Sequence, residues 1–230
     1  MEVLKIKRSA LENAMNVCCA CDIDVAPVRM DGGTLYIRSI SPDRTRFIDM
    51  EIFPESGTKF DLVGIPTDTF RDVLANMKQN EMIEMIMKDS YVDLKGGTKK
   101  FSIRLINVEK TEQKVSEFNP DVVLNISAKD LKDVISSVLV FKGNEIHLTT
   151  DDKGLKIHST DDSNVGEVVI EDCTKNGDVD ISFSSLILKG LINALEGDLT
   201  LSLKNDYPLI VETQSKWMNM KAYVAPRVNP

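Results

Sequence analysis

Residues 3–7 alternate apolar and polar side chains, the pattern of a half-buried strand. The period then changes. Ala10, Leu11, Ala14, Met15, Val17 and Cys18 fall on one face of a helix expected to run to about Ala20. Ser9 is its expected cap, and Glu12 completes a capping box. Asp31-Gly32-Gly33 marks a hairpin turn, and Thr34–Ile40 and Arg46–Ile52 alternate as strands. A second helix is expected from a cap at Thr67, with Phe70, Val73, Leu74 and Met77 inward. Strands over 82–88, 91–95 and 101–106 follow, turned at Lys88-Asp89-Ser90 and Gly96-Gly97.

The same order then returns. Leu11 matches Leu131, Met15 Ile135, Leu35 Leu155, Ile37 Ile157, Ser39 Ser159, Ile48 Val168 and Met50 Ile170, each pair 120 apart. Ser127 caps the third expected helix (Leu131, Val134, Ile135 and Val138 inward), and Asp152-Lys153-Gly154 is the matching turn. Ser184 opens the fourth, with Ile187, Leu188, Leu191 and Leu195 inward. Strands over 199–203, 209–212 and 217–224 close the chain. The spacing slips to 116 at Met87/Leu203 and Tyr91/Tyr207, which puts a shortening between the third strand and second helix of the later half. Two copies are too few for a solenoid. The pattern predicts an α+β protein with a duplicated domain: residues 1–106, a linker over 107–121, and residues 122–230. The linker interleaves acids and lysines with Val108, Val115 and Phe118, and is too long for a hairpin. Its apolar residues either pin it to a domain or make it one wall of a peptide groove.

Composition narrows the class. The chain has 230 residues, 42% hydrophobic and 28% charged, which is globular. Its net charge is −8, from 28 basic and 36 acidic residues, which by itself argues against a nucleic-acid binder. Nothing resembles a targeting peptide or a membrane span, so a soluble intracellular protein is expected. Cys18, Cys19 and Cys21 crowd together far from Cys173. That spacing suits neither a disulfide framework nor a zinc site, and small buried residues on a helix are expected instead.

Catalytic chemistry is sparse. His147 and His158 both sit in strand-like alternation, and no triad assembles around either. The paired glycines are hairpin glycines, not phosphate cradles. Asp151-Asp152 and Asp161-Asp162 miss the calcium-loop spacing. No cofactor or metal is expected, and an enzyme is disfavoured. The helix faces carry Arg71, Lys78, Lys129, Lys132 and Lys189 against Glu12, Asp68, Asp72, Asp130 and Asp133. They are therefore less negative than the chain as a whole.

Several segments resemble the sliding-clamp family typified by proliferating cell nuclear antigen, its archaeal members above all. They are Tyr223-Val224-Ala225-Pro226-Arg227-Val228, Asp206-Tyr207-Pro208-Leu209, Ile37-Arg38-Ser39-Ile40-Ser41-Pro42 with Phe47-Ile48-Asp49-Met50, and Leu105-Ile106-Asn107-Val108-Glu109. The resemblance implies a ring of three two-domain subunits around double-stranded DNA, helices lining the hole and sheets outside. By position, Arg71, Lys78, Lys129, Lys132 and Lys189 would face DNA without reading sequence. A partner-peptide pocket would be bordered by Ile40, Val115, Phe118, Pro208, Tyr223, Ala225 and Pro226. The implied partners are DNA polymerase, flap endonuclease, DNA ligase and the clamp loader, in the cytoplasm or, in a eukaryote, the nucleus. The subunit interface would join Phe101, Ser102, Ile103, Arg104 and Leu105 to Asp172, Cys173, Thr174, Lys175 and Asn176. Departures are Ser41 where the family often has Asp, Ser116 for a linker Pro, the polar Gln113, and a short 171–183 stretch at the expected interface. The alternatives are a heteromeric or checkpoint-type clamp subunit and, from another class, a small-molecule enzyme on a duplicated α+β scaffold.

Overall fold

The computed structural model of the chain describes residues 2–78, 81–109 and 118–227. The earlier half runs β1 (Glu2–Lys7), α1 (Arg8–Ala20), β2 (Val25–Asp31), β3 (Thr34–Ile40), β4 (Arg46–Ile52), β5 (Phe60–Pro66), α2 (Thr67–Ala75), β6 (Met82–Met87), β7 (Tyr91–Gly96) and β8 (Lys99–Arg104). The later half runs β9 (Val122–Ser127), α3 (Ala128–Val138), β10 (Glu145–Asp151), β11 (Gly154–Asp161), β12 (Asn164–Ile170), β13 (Thr174–Lys175), β14 (Asp180–Ser184), α4 (Ser185–Ala194), β15 (Asp198–Leu203), β16 (Leu209–Gln214) and β17 (Met218–Val224). The chain forms two compact units. One holds the described residues through 109 with Ser215–Met220; the other holds 118–214 and 221–227.

The first unit has strand orders β1-β6-β7-β8 and β5-β2-β3-β4, with α1 packed on α2. The second has β12-β11-β10-β14 and β13-β9-β15-β16, with α3 packed on α4 and across β12. Alternation sends one side of each strand inward. Leu4, Ile6, Leu35, Ile37, Ile48, Met50 and Phe70 are buried in the first core, and Leu124, Leu131, Ile157, Phe183, Leu191 and Val211 in the second. Close backbone approach at two glycines completes the packing. A side chain at Gly166 would meet the Val138 carbonyl of α3 at 2.4 Å. One at Gly64 would strike Val108 and Ile106, whose backbone pairs with Gly64 on β5.

Each helix follows its strand with no loop, and this changes how the helices start. Only Ser127 caps with its side chain, accepting from the Asp130 N–H. Ser9 and Thr67 are not caps: the helices begin after Lys7 and Pro66, and Glu12 pairs with Arg8 instead of closing a box. Ser184 holds the cap position without a side-chain bond. The first helical N–H of every helix donates to a distant carbonyl: Arg8 to Glu81, Thr67 to Asp24, Ala128 to Gly197 and Ser185 to Asn144. These orphan donors are satisfied by tertiary structure, so a side-chain cap is dispensable.

Strand register also corrects the repeat. Leu35 faces Ile52 and Ile37 faces Met50, whereas Leu155 faces Ile170 and Ile157 faces Val168. Val168 is thus the counterpart of Met50, not Ile48, and Ile170 that of Ile52. Two residues are lost at the β11–β12 turn, and further shortening falls between α4 and β15, not ahead of the second helix. The longer β3–β4 turn carries an ionic cluster. Ser41 Oγ donates to Asp43 and accepts from the Arg46 N–H, and the buried Arg46 guanidinium meets Asp22 at 2.6 Å and Asp43 at 3.1 Å. Hydrogen bonds from the Ser41 hydroxyl and the Thr45 N–H hold the Asp43 carboxyl well below the usual carboxylate range. The turn thus has a carboxylate although Ser41 does not supply it. Among the described residues, no helix is long and apolar enough to cross a membrane.

Candidate nucleic-acid and partner-binding surfaces

The helix cations are less available than their number suggests. Arg8 is 4% exposed; its Nε donates to the Leu74 carbonyl at 2.7 Å and its guanidinium meets Glu12. Arg71 pairs with Asp68 at 2.9 Å and lies 3.8 Å from Asp72. Lys132 is half-buried and donates to the Leu195 carbonyl at 2.8 Å, which makes it a cap for the end of α4 rather than a free surface charge. Lys78 is not a helix residue. α2 ends at Ala75 with Asn76 as its C-cap, and Lys78 follows, exposed. Lys129 on α3 and Lys189 on α4 are exposed, and no ion pair among the described residues engages them. Asp68 and Asp72 on α2 and Asp130 and Asp133 on α3 are exposed as well, and α4 carries no acid. Taken together, the helix faces are therefore close to neutral.

The expected peptide-pocket residues divide between the units. In the second unit, the Phe118 ring lies 4.9 Å from the Tyr207 ring, tilted by 37°. Lys204 donates to the Asn119 carbonyl and sits 3.5 Å from Asp121. The described end of the linker is thus pinned to the β15–β16 turn, beside half-buried Pro208. Tyr223, Ala225 and Pro226 are half-buried at the end of β17. Just beyond, the Arg227 N–H donates to the Ser182 carbonyl and the guanidinium pairs with Glu145. Ile40 belongs to the first unit, half-buried at the end of β3. Val115 lies outside the described residues, as do Gln113 and Ser116.

The two expected edges differ in outcome. Phe101, Ser102, Ile103 and Arg104 lie on β8, the terminal strand of its sheet, and Leu105 follows, donating to the Ser90 carbonyl. In the second unit, Thr174 and Lys175 form a two-residue strand already paired with Val123 and Val122 of β9, and Asp172, Cys173 and Asn176 lie outside it. The long terminal strand there is β12, seven residues from Asn164 to Ile170. The repeat carried the strand of Arg46–Ile52 onto this segment through Val168 and Ile170 without bounds of its own, because Gly166 interrupts its alternation at the point where α3 crowds it.

The cysteines and the two histidines are the remaining candidates for chemistry. Burial raises the Cys18 thiol, and burial also takes Cys21 up to about 12; burial with the Asp68 hydrogen bond takes Cys19 to about 11. Thiols held this high are poor nucleophiles. Among the described residues no group of His, Cys, Asp and Glu could hold a metal ion. His147 and His158 face each other across β10 and β11, rings stacked at 5.0 Å. Burial, then the neighbouring His147 and Lys156, push His158 below its ordinary value. Ser182 stands opposite His147, but its buried Oγ makes no hydrogen bond, so the imidazole does not activate it. Open grooves among the described residues include one of about 580 Å³ over Asn125, Thr200 and Glu212 and one of about 700 Å³ between Leu62, Ser90 and Ile106. Neither gathers a catalytic set.

The fold is that of a solved clamp. The chain superposes on the structure titled "C-terminal region of FEN-1 bound to A. fulgidus PCNA" with a TM-score of 0.87, covering 100% of both chains at 17% identity. No protein-family model matches the sequence, and no curated protein matches it. The chain therefore has the α+β, PCNA-like clamp fold, with little sequence in common with that structure.

Proposed function

We propose that this chain is a non-enzymatic sliding-clamp subunit that encircles duplex DNA and tethers replication and repair enzymes to it. The observation that carries the reading is the full-length match to the A. fulgidus PCNA structure, along both duplicated halves. A ring needs little affinity for DNA because closure prevents lateral escape, so near-neutral helix faces are compatible with it. Lys129 and Lys189 would supply weak phosphate contacts that tolerate any sequence. Partners would dock through short motifs beside the Phe118–Tyr207 contact and Tyr223, Ala225 and Pro226. The matched clamp is bound to a flap endonuclease C-terminal region, and polymerase, ligase and a clamp loader are expected alongside.

Self-assembly would be head to tail, since the two edges differ in charge. β8 exposes Lys99, Lys100 and Arg104. β12 and its flanks expose Asp161, Asp162, Glu167 and Glu171. Opposite charge on two different surfaces of one chain favours a heterologous contact that closes into a ring. The β12 edge replaces residues 172–176 in this reading. A heteromeric ring is the second reading, favoured by the scarcity of unpaired cations on the helices, since a different subunit could supply them. The test is loading onto nicked circular DNA. A clamp is retained and is released when the DNA is linearised; equal retention on both forms refutes a topological link.

A further inference from the structure

We propose that Asp93 positions the β8 edge for docking a second copy of the chain, an assignment that rests on the clamp reading above. Asp93 lies on β7 and is 2% exposed, on the sheet face opposite the core residues Val92 and Leu94. A buried carboxylate is costly unless it is paired. This one accepts from Ser102 Oγ at 2.5 Å and Lys88 Nζ at 2.6 Å, and Lys100 Nζ lies 3.3 Å away. Two of the three partners, Ser102 and Lys100, belong to the terminal strand β8. Lys95 stands directly opposite Lys100 in the ladder, a like-charge pair that works against that strand. Asp93, diagonal to Lys100, offsets the repulsion and draws β8 onto β7.

The second half shows that the fold does not require this carboxylate. Ile86 faces Asp93 across β6 and β7, and its counterpart Ser202 faces Ile210, a half-buried apolar residue. The lysine partners of Asp93 are about half exposed, 46% for Lys88 and 55% for Lys100, and such pairs add little to folding stability. The charged network is therefore better explained by what it orders than by stability. It holds in regular register a strand that exposes three cations, Lys99, Lys100 and Arg104. The hydrogen bonds from Lys88 and then Ser102 keep the carboxyl well below the usual carboxylate range, so the network stays charged at neutral and mildly acid pH.

Sedimentation velocity on the full chain over a concentration series, with Asp93→Asn and Asp93→Ile, tests the assignment. Asp93→Ile copies the second half and should leave the unfolding midpoint of the chain near wild type. Both variants should raise the dissociation constant of the assembly at least tenfold and speed amide exchange in β8 but not in β1. A wild-type assembly with either variant associating as tightly as wild type overturns the assignment alone. A wild-type chain that stays monomeric overturns the self-assembling ring and the assignment with it.

Discussion

Arg8 in the first half and Lys132 in the second do the same job by different means. Each comes from the first helix of its half and donates to a carbonyl at the end of the second, Leu74 or Leu195. Both meet the need of C-terminal carbonyls for donors. Arg8 does so while buried, with Glu12 as counter-ion; Lys132 does so half-exposed. The two halves differ again at Asp93 and Ile210, and at Arg38 and His158, which hold equivalent strand positions. Duplication thus conserved the scaffold positions and freed the polar chemistry on them. A cation count along the helices overstates what is available to a ligand, because the fold has already used several.

Core substitutions at equivalent helix positions should have the largest effect. Phe70 and Leu188 are buried to 0% and 2% exposure on α2 and α4. Phe70→Ala and Leu188→Ala should each cost about 3–5 kcal/mol in denaturant unfolding. A loss under about 1.5 kcal/mol at either position would mean the halves are not packed alike. The helix-end cations come next. Arg8→Met should cost about 2–3 kcal/mol, since it strands both the Leu74 carbonyl and Glu12, while Lys132→Met should cost about 1 kcal/mol. Equal losses would erase the contrast between a buried and a half-exposed cap.

Capping gives a smaller split. Ser127→Ala should cost about 1 kcal/mol, and Ser9→Ala under about 0.5 kcal/mol, because Ser9 caps nothing. Equal costs would show that the Glu81 carbonyl does not replace a side-chain cap. The smallest effect concerns acid. His158 is held below its ordinary value of about 6.5. Its contribution is complete above that pH and is lost as pH falls toward the lowered folded value. Arg38, paired with Asp49, occupies the equivalent place in the first half. His158→Gln should therefore flatten the fall in stability between about pH 7 and 5; an unchanged slope would place the acid sensitivity elsewhere.

Much of the fold was legible in the sequence for local reasons. Strict alternation gave Thr34–Ile40 and Arg46–Ile52 their observed bounds, and the helix stripes located all four helices. Where tertiary contacts decided the outcome, local patterns misled. Helix starts satisfied by Glu81 or Asp24 carbonyls leave no capping signal in the sequence. Met77 is buried past the end of α2, which extended the apparent stripe and carried Lys78 into the helix with it. Gly166 obscured the bounds of β12, the long terminal strand that ends just ahead of residues 172–176. The surface residues were harder still: nothing in the spacing of Lys132 or Asp93 reveals the carbonyl or the lysines each one meets.

The reading of a self-assembling clamp stands or falls on closure of the chain upon itself. Sedimentation equilibrium of the wild-type protein measures this directly. With opposite charges on β8 and β12, the mass should be near three chains of 25.7 kDa each, and rising salt should weaken the assembly. A single 25.7 kDa species persisting at high concentration and low salt would contradict a self-assembling clamp.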